Sequence, residues 1–356
     1  MNAGSIRGLV LIFPGALGDL LLALPTLRAL RQRHAGHATL VVSEPLRQLA
    51  GLFGVADRVA SLDDASSAWL FGGDTLPSWL EGRPSVFCWL GVRDELRDRL
   101  ASVAGTVTVL GVQRGVGTVH AAVAYARAAG LRLDRPTLWQ GARLYPTDSA
   151  TVRHVLGPLP GPLLAIHRGA GAAAKRWPSA AFAAVAARWR RSGGGVVDLL
   201  GPAEAGDAAL DGAVAVREWP LPDVAALLAC VDVFLGNDSG VSHLAAAVGA
   251  RTVVVFTATA SRRWRPLGPR VRVVGDVGGT AASHPAVGRV LAALAPVESL
   301  TSTEPGSSVR PSTESARLRE SAPAASPAPP DDAPFVSRDD ADEPPGEPGS
   351  PRASGR

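Results

Sequence analysis

Short β-branched runs alternate with Ala-, Leu- and Arg-rich stretches of helical period along most of this 356-residue chain. That alternation restricts the fold more than any other feature of the sequence. Runs at 9–13, 39–43, 107–110, 163–167, 196–200, 231–235, 252–256 and 271–274 predict strands, and stretches at 19–33, 120–129, 179–191, 222–229, 241–248 and 285–294 predict helices. A strand, a helix and a further strand in succession build parallel sheets, because the returning helix covers an apolar sheet face. The segment 133–162 is rich in Pro, Gly and Arg and separates two such sets, so it reads as an interdomain connection. The expected fold is α/β, with Rossmann-like domains at 1–150 and 151–296 facing a cleft. Residues 297–356 hold eleven Pro, four Gly and only six Leu, Val and Phe together. Such a composition cannot offset its ordering entropy by burial, so a disordered tail is expected, with a short helix at 315–321.

Charge narrows the ligand. The chain has 36 Lys and Arg against 32 Asp and Glu, and a single one of the 36 is lysine, Lys175. The tail contributes 11 acidic residues and 6 Arg, which leaves 30 basic and 21 acidic residues before it, a balance of +9. A basic body suits phosphates, nucleotides or acidic lipid. Stripes of Arg interleaved with aromatics are absent, which argues against nucleic acid as a partner. Two cysteines, Cys88 and Cys230, exclude a disulfide scaffold and lack metal-ligand spacing, and no His/Cys cluster marks a metal site. The apolar run 6–30 imitates a signal or anchor but is interrupted by Pro14, Gly15, Gly18, Asp19 and Pro25. No transmembrane segment is predicted, and the expected location is cytoplasmic.

Three strand-to-helix loops carry the candidate chemistry. Pro14-Gly15-Ala16-Leu17-Gly18-Asp19 runs from the first strand into the first helix, where Asp19 serves either as a plain N-cap or as a functional carboxylate kept ionised by the helix start. The G-x-G-x-x-G dinucleotide fingerprint is missing, which weakens a dehydrogenase reading. His167-Arg-Gly-Ala-Gly-Ala-Ala-Ala-Lys175-Arg-Trp-Pro178 is a small-residue loop able to present N–H groups and the lone lysine to an anion. It lacks the G-K-[ST] ending of a P-loop, and a solvated lysine is its plainer reading. Gly236-Asn-Asp238-Ser239-Gly240-Val-Ser-His243 ends a strand and opens a helix, with His243 one turn in and facing the same opening. A capping Ser or Asp above a core histidine is the alternative, and no nucleophile elbow surrounds Ser239 to support hydrolysis. Glu218 is placed either to bond a ribose or as a surface carboxylate, and Arg262-Arg263-Trp264-Arg265 either faces an anion or forms a solvated loop.

Taken together, LVLIFPGALGDLLLALPTLRALR, GAGAAAKRWP and FLGNDSGVSHLAAAVGARTVVVF followed by WRPLG resemble glycosyltransferase family nine, the ADP-heptose:lipopolysaccharide heptosyltransferases. The resemblance spans residues 1–296. It implies a GT-B fold and an inverting transfer from a nucleotide sugar, without metal or other cofactor. It implies Asp19 as base, Lys175 on donor phosphate, Asp238, Ser239, Gly240 and His243 around the diphosphate, Gly18 beside the donor, and Glu218 at the ribose. The implied acceptor is a glycan or glycolipid at the inner membrane surface. Many members have Pro where this chain has Arg168, hydroxyl residues where it has Ala172, Ala173 and Ala174, and Gly where it has Thr257. A same-fold epimerase or hydrolase, and a noncatalytic nucleotide-sugar-binding protein, are the competing readings.

Overall fold

The alternating runs fold into two separate parallel sheets, described here from a computed structural model that covers residues 8–111, 118–275 and 284–295. The expected tail at 297–356, with its short helix, lies outside the described residues. The first sheet contains β1 (Gly8–Ile12), β2 (His37–Val42), β3 (Arg58–Ser61), β4 (Ser85–Cys88) and β5 (Thr106–Val109), in the order β3-β2-β1-β4-β5. The second contains β6 (Leu163–His167), β7 (Gly195–Leu200), β8 (Val214–Arg217), β9 (Val233–Asn237), β10 (Arg251–Val255) and β11 (Val271–Val274), in the order β11-β10-β9-β6-β7-β8. Every pairing is parallel. In each sheet the strand order reverses beside its first strand, between β1 and β4 and between β6 and β9. Ligands of open α/β sheets collect outside the carboxyl ends of the strands at such reversals.

Around the first sheet lie α1 (Leu17–Arg33), α2 (Glu44–Ala50), α3 (Asp94–Val103) and α4 (Ala121–Ala128). Next come α5 (Arg135–Gly141) and α6 (Ala150–Leu156), followed by α7 (Ser179–Arg191), α8 (Leu221–Cys230), α9 (Gly240–Ala247), α10 (Ser261–Trp264) and α11 (Val287–Leu294). The 133–162 connection is therefore partly helical. Asp134 caps α5 by accepting from the Thr137 N–H at 3.0 Å, and Ser149 caps α6 through the Val152 N–H at 3.4 Å. Pro136 sits in the first turn of α5, where its missing N–H costs nothing, so it opens a helix instead of breaking one.

The apolar run that imitates a membrane anchor is β1 followed by α1. In α1 the consecutive residues Leu20 to Leu27 are all buried, as in a helix enclosed on every side. One face covers the first sheet, and another packs on α9 from the second half. A continuous buried cluster accordingly runs from Leu20, Leu24 and Leu27 through Tyr125 and Leu138 to Leu244 and Ala247. Among the described residues, no helix is long and apolar enough to cross a membrane.

Candidate active site

All three candidate loops leave the sheets at their reversal points: one follows β1, one follows β6 and one follows β9. In the first, Phe13 is fully buried against the rings of Trp89 and Tyr125, with centroids 5.6 Å away in each case. Gly15 makes room for it, because a Cβ there would sit 2.4 Å from Phe13 Cε1. Helix α1 begins after Ala16, so Asp19 is a first-turn residue and not the N-cap. Free N–H groups and the helix dipole favour its carboxylate there. The buried Tyr125 hydroxyl on α4 donates to Asp19 Oδ1 at 3.0 Å.

The second loop holds Lys175 on a single 3-10 turn, Ala173–Lys175. Its Nζ lies 2.8 Å from Oδ2 of the buried Asp238, which also accepts from the Thr259 hydroxyl at 2.6 Å. Two buried side chains pin the loop from beneath. Asn237 accepts from the Trp177 N–H at 2.9 Å and donates to the Arg168 carbonyl at 2.6 Å. The Thr257 hydroxyl donates to the Ala174 carbonyl at 2.7 Å. Arg168 itself turns away from the loop and forms a buried pair with Asp198, at 3.3 and 3.0 Å.

In the third loop Ser239 occupies the N-cap position of α9, yet its hydroxyl caps no backbone N–H. It lies 3.4 Å from His167 Nδ1 and 3.4 Å from Ser242 Oγ. His243 is buried one turn along, and burial pushes its imidazole down to about 4, against Asp238 and with Lys175. It is therefore neutral near pH 7 and has one N–H to give.

The two halves meet at these helix starts. A Cβ on Gly18 would lie 3.2 Å from His243 Cδ2 and 3.7 Å from Gly240 Cα, and one on Gly240 would lie 2.8 Å from Leu17 Cβ. The N-termini of α1 and α9 thus pack closely, with the Leu17 side chain against Gly240 and the His243 ring against Gly18. This contact gathers Gly18, Asp19, Lys175, Asp238, Ser239, Gly240 and His243 at one opening. The two positive helix ends and the neutral imidazole N–H favour an anion there, while Lys175 is paired with Asp238 and Asp19 adds a second carboxylate. Glu218 is not among them: it follows β8 at the sheet edge, two strands from β6, and is exposed. Its φ of 50° is left-handed, a cost of about 1–2 kcal/mol for a residue with a Cβ.

The arginine cluster is largely a staple and not a solvated loop. Arg263 is buried and donates to the Val119 carbonyl at 3.1 Å. His120 Nδ1 accepts from the Ala122 N–H at 3.3 Å, so Nε2 carries the proton and donates to the Arg265 carbonyl at 3.0 Å. Among the described residues, no three His, Cys, Asp or Glu side chains are grouped to hold a metal. Asp63 and Asp64 are occupied by the backbone N–H groups of Glu44 and Ser61.

Residues 90–284, more than half of the chain, match the family profile of glycosyltransferase family 9 (heptosyltransferase). The chain belongs to glycosyltransferase family 9. Family 9 enzymes use a nucleotide-sugar donor. The E. coli ADP-heptose lipopolysaccharide heptosyltransferase II structure is similar at TM-score 0.63 and 17% identity, over 81% of this chain and 97% of that one. A family 9 structure from Veillonella parvula gives 0.65 and 20%, over 81% and 96%. E. coli heptosyltransferase WaaC with ADP gives 0.58 and 18%, over 81% and 99%. At such identities the likeness establishes the GT-B fold. No curated protein sequence matches the chain.

Several residues of this family 9 site carried no signal of their own in the sequence. Tyr125 is one of two tyrosines and lies in an alanine-rich helix, where its hydroxyl is the one unexpected group. Asn237 sits inside the most specific motif, but its clamp on the lysine loop depends on a partner sixty residues away. His167 opens the middle motif, and the Glu204 carboxylate that approaches it comes from the turn after β7.

Proposed function

We propose that this enzyme transfers heptose from ADP-heptose, with inversion and without a metal ion, to a cell-envelope glycan or lipopolysaccharide-core glycolipid. On this reading residues 1–150 present the acceptor and 151–296 the donor, and the work is done at the cytoplasmic face of the inner membrane. The observation that carries it is the contact of α1 with α9, which sets the Asp19 carboxylate of one half beside Lys175, His243 and the α9 N-terminus of the other.

The chemistry follows from that arrangement. An acceptor hydroxyl attacks the anomeric carbon from the face opposite the departing diphosphate, and Asp19 takes the hydroxyl proton. A carboxylate held at a helix start is a weak base, so proton transfer comes late in bond formation. Negative charge gathers on the leaving phosphate, where Lys175 and the free N–H groups of α9 stabilise it, a role that a divalent cation fills in other sites. The neutral His243 donates its N–H to a phosphate oxygen. Glu218 bonds the ribose, which gives its left-handed backbone a purpose. The choice of ADP and heptose is supported by the solved relatives, which include WaaC with ADP and with ADP-2-deoxy-2-fluoro heptose.

A panel of ADP-, UDP- and GDP-sugars tested by thermal shift addresses the donor, because a ligand bound only to the native state raises its stability by mass action. The largest rise is expected with ADP-heptose, and no rise with any nucleotide sugar would overturn the reading. Asp19→Asn is expected to lower transfer by about 100-fold or more while leaving the donor-induced shift intact. Sugar release without acceptor would indicate a hydrolase.

A further inference from the structure

The transfer chemistry leaves His167 unused, although this ring is buried in the floor of the donor opening between the Ser239 hydroxyl and the Glu204 carboxylate. Its Nδ1 lies 3.4 Å from Ser239 Oγ, and its Nε2 lies 3.9 Å from Glu204 Oε2. Glu204 is itself buried, and its place is shaped by glycines: a Cβ on Gly169 would lie 2.6 Å from the carboxylate, and one on Gly201 3.3 Å from Oε2.

A phosphate that needs the Ser239 proton cannot be served by either neutral form of the ring without loss. Ser242 spends its hydroxyl proton on the Asn237 carbonyl at 2.5 Å, so Ser242 can only accept from Ser239. If the neutral His167 ring carries its proton on Nε2, toward Glu204, then Nδ1 is an acceptor and draws in the Ser239 hydroxyl proton. Ser239 then turns a lone pair toward an incoming phosphate. If the proton sits on Nδ1, Ser239 is free to donate outward, but a bare nitrogen faces the Glu204 carboxylate. Only the doubly protonated ring satisfies Glu204 and Ser239 together and leaves the Ser239 proton for a phosphate oxygen.

We infer that His167 is a proton-accepting positioning residue, which takes a proton from solvent when a diphosphate binds at Ser239 and returns it when the diphosphate leaves. The inference rests on the donor-site reading given above. One N–H bond forms on the ring as the ligand docks and breaks as it departs, with no other bond changed.

The charges around the ring set the switch. In the ligand-free protein, burial together with Arg168 and Arg176 holds His167 down at about 4. Arg168 is already paired with Asp198, Arg176 lies 3.2 Å from Glu204, and Lys175 with Asp238 and the neutral His243 complete the surroundings. A diphosphate adds negative charge on the open side and shifts this balance toward the imidazolium.

The test is calorimetric titration of the full chain with ADP-glucose, whose esterified diphosphate has no titrating proton near neutrality, in two buffers of different ionisation enthalpy. Inorganic pyrophosphate serves as a second probe. The wild type should take up a proton on binding ADP-glucose near pH 6, and its affinity should rise as the pH falls, toward about tenfold per unit. His167→Asn keeps a donor near Nδ1 but cannot titrate, so it should bind with little uptake. Glu204→Gln should diminish the uptake, and melting curves establish that both variants fold. Undiminished uptake in His167→Asn would overturn the inference and place the proton elsewhere, on His243 for example. Binding to the wild type with no uptake would overturn it while leaving the donor site standing. Failure of both probes to bind would remove the donor-site reading and the inference with it.

Discussion

Tyr125→Phe is the most direct probe of how Asp19 is held. The substitution deletes one oxygen and leaves the ring, whose edge-on packing against Phe13 at 5.6 Å and 61° is unaffected in principle. What is lost is a 3.0 Å hydrogen bond from a buried hydroxyl to the Asp19 carboxylate. Bonds to charged acceptors are worth about 1.5–3 kcal/mol. Asp19 is only partly buried, so water replaces some of that, and about 1–2 kcal/mol is a fair expectation for the loss of orientation. At 1.36 kcal/mol per tenfold this corresponds to a fall in kcat of about 5- to 30-fold. The assay is steady-state transfer with the donor varied, together with a denaturant melt and a donor thermal shift. The expected pattern is a reduced kcat, an unchanged donor KM and a stability loss of no more than about 1–2 kcal/mol. An unchanged kcat would refute the idea that Tyr125 orients the base, and an equal loss of donor affinity would show that its effect reaches the other half.

Two other predictions concern charge. Lys175→Arg should raise the donor KM about tenfold with little change in melting, because a planar fork on a shorter aliphatic stem cannot reproduce a point charge fixed 2.8 Å from Asp238. Wild-type kinetics in that variant would return Lys175 to the role of a surface cation. Acid should destabilise the ligand-free protein, since burial holds His120, His167 and His243 at about 4 in the folded state. The unfolded chain binds their protons below about pH 6.5, so stability is fully present above that value and is lost as the pH falls toward 4, by up to about 1.4 kcal/mol per unit for each ring. Denaturant midpoints that stay flat between pH 7 and 5 would contradict this.

Much of the fold was readable because long buried strands and long amphipathic or apolar helices announce themselves by period. The strands that escaped notice, β3, β4 and β8, are four residues each, and β3 and β8 are edge strands with exposed polar residues that dilute the pattern. Asp19, Lys175 and His243 stood out because each lies in or just past a loop between a strand and a helix, a place set by local sequence alone. Their meeting at one opening depends on the packing of α1 on α9, which no spacing within either helix reveals. The functions of Tyr125, Asn237 and Glu204 were hidden for the same reason, since each acts on a residue brought near only by the tertiary fold. Arg168 and Thr257, two of the departures from the family pattern, support the sheet and the lysine loop above it.

The contact between the starts of α1 and α9 also orders events in time. Gly18 and Gly240 are more than 200 residues apart in sequence, so closing that loop carries a large entropic cost and falls late in folding. Each sheet has its own local pairings and can form before the seam closes. Helical signal should therefore return before catalytic turnover does, with an interval in which two structured halves exist without an enzyme. Donor binding, built from loops of the second sheet, should return with that half, and transfer only once Asp19 is brought across the seam.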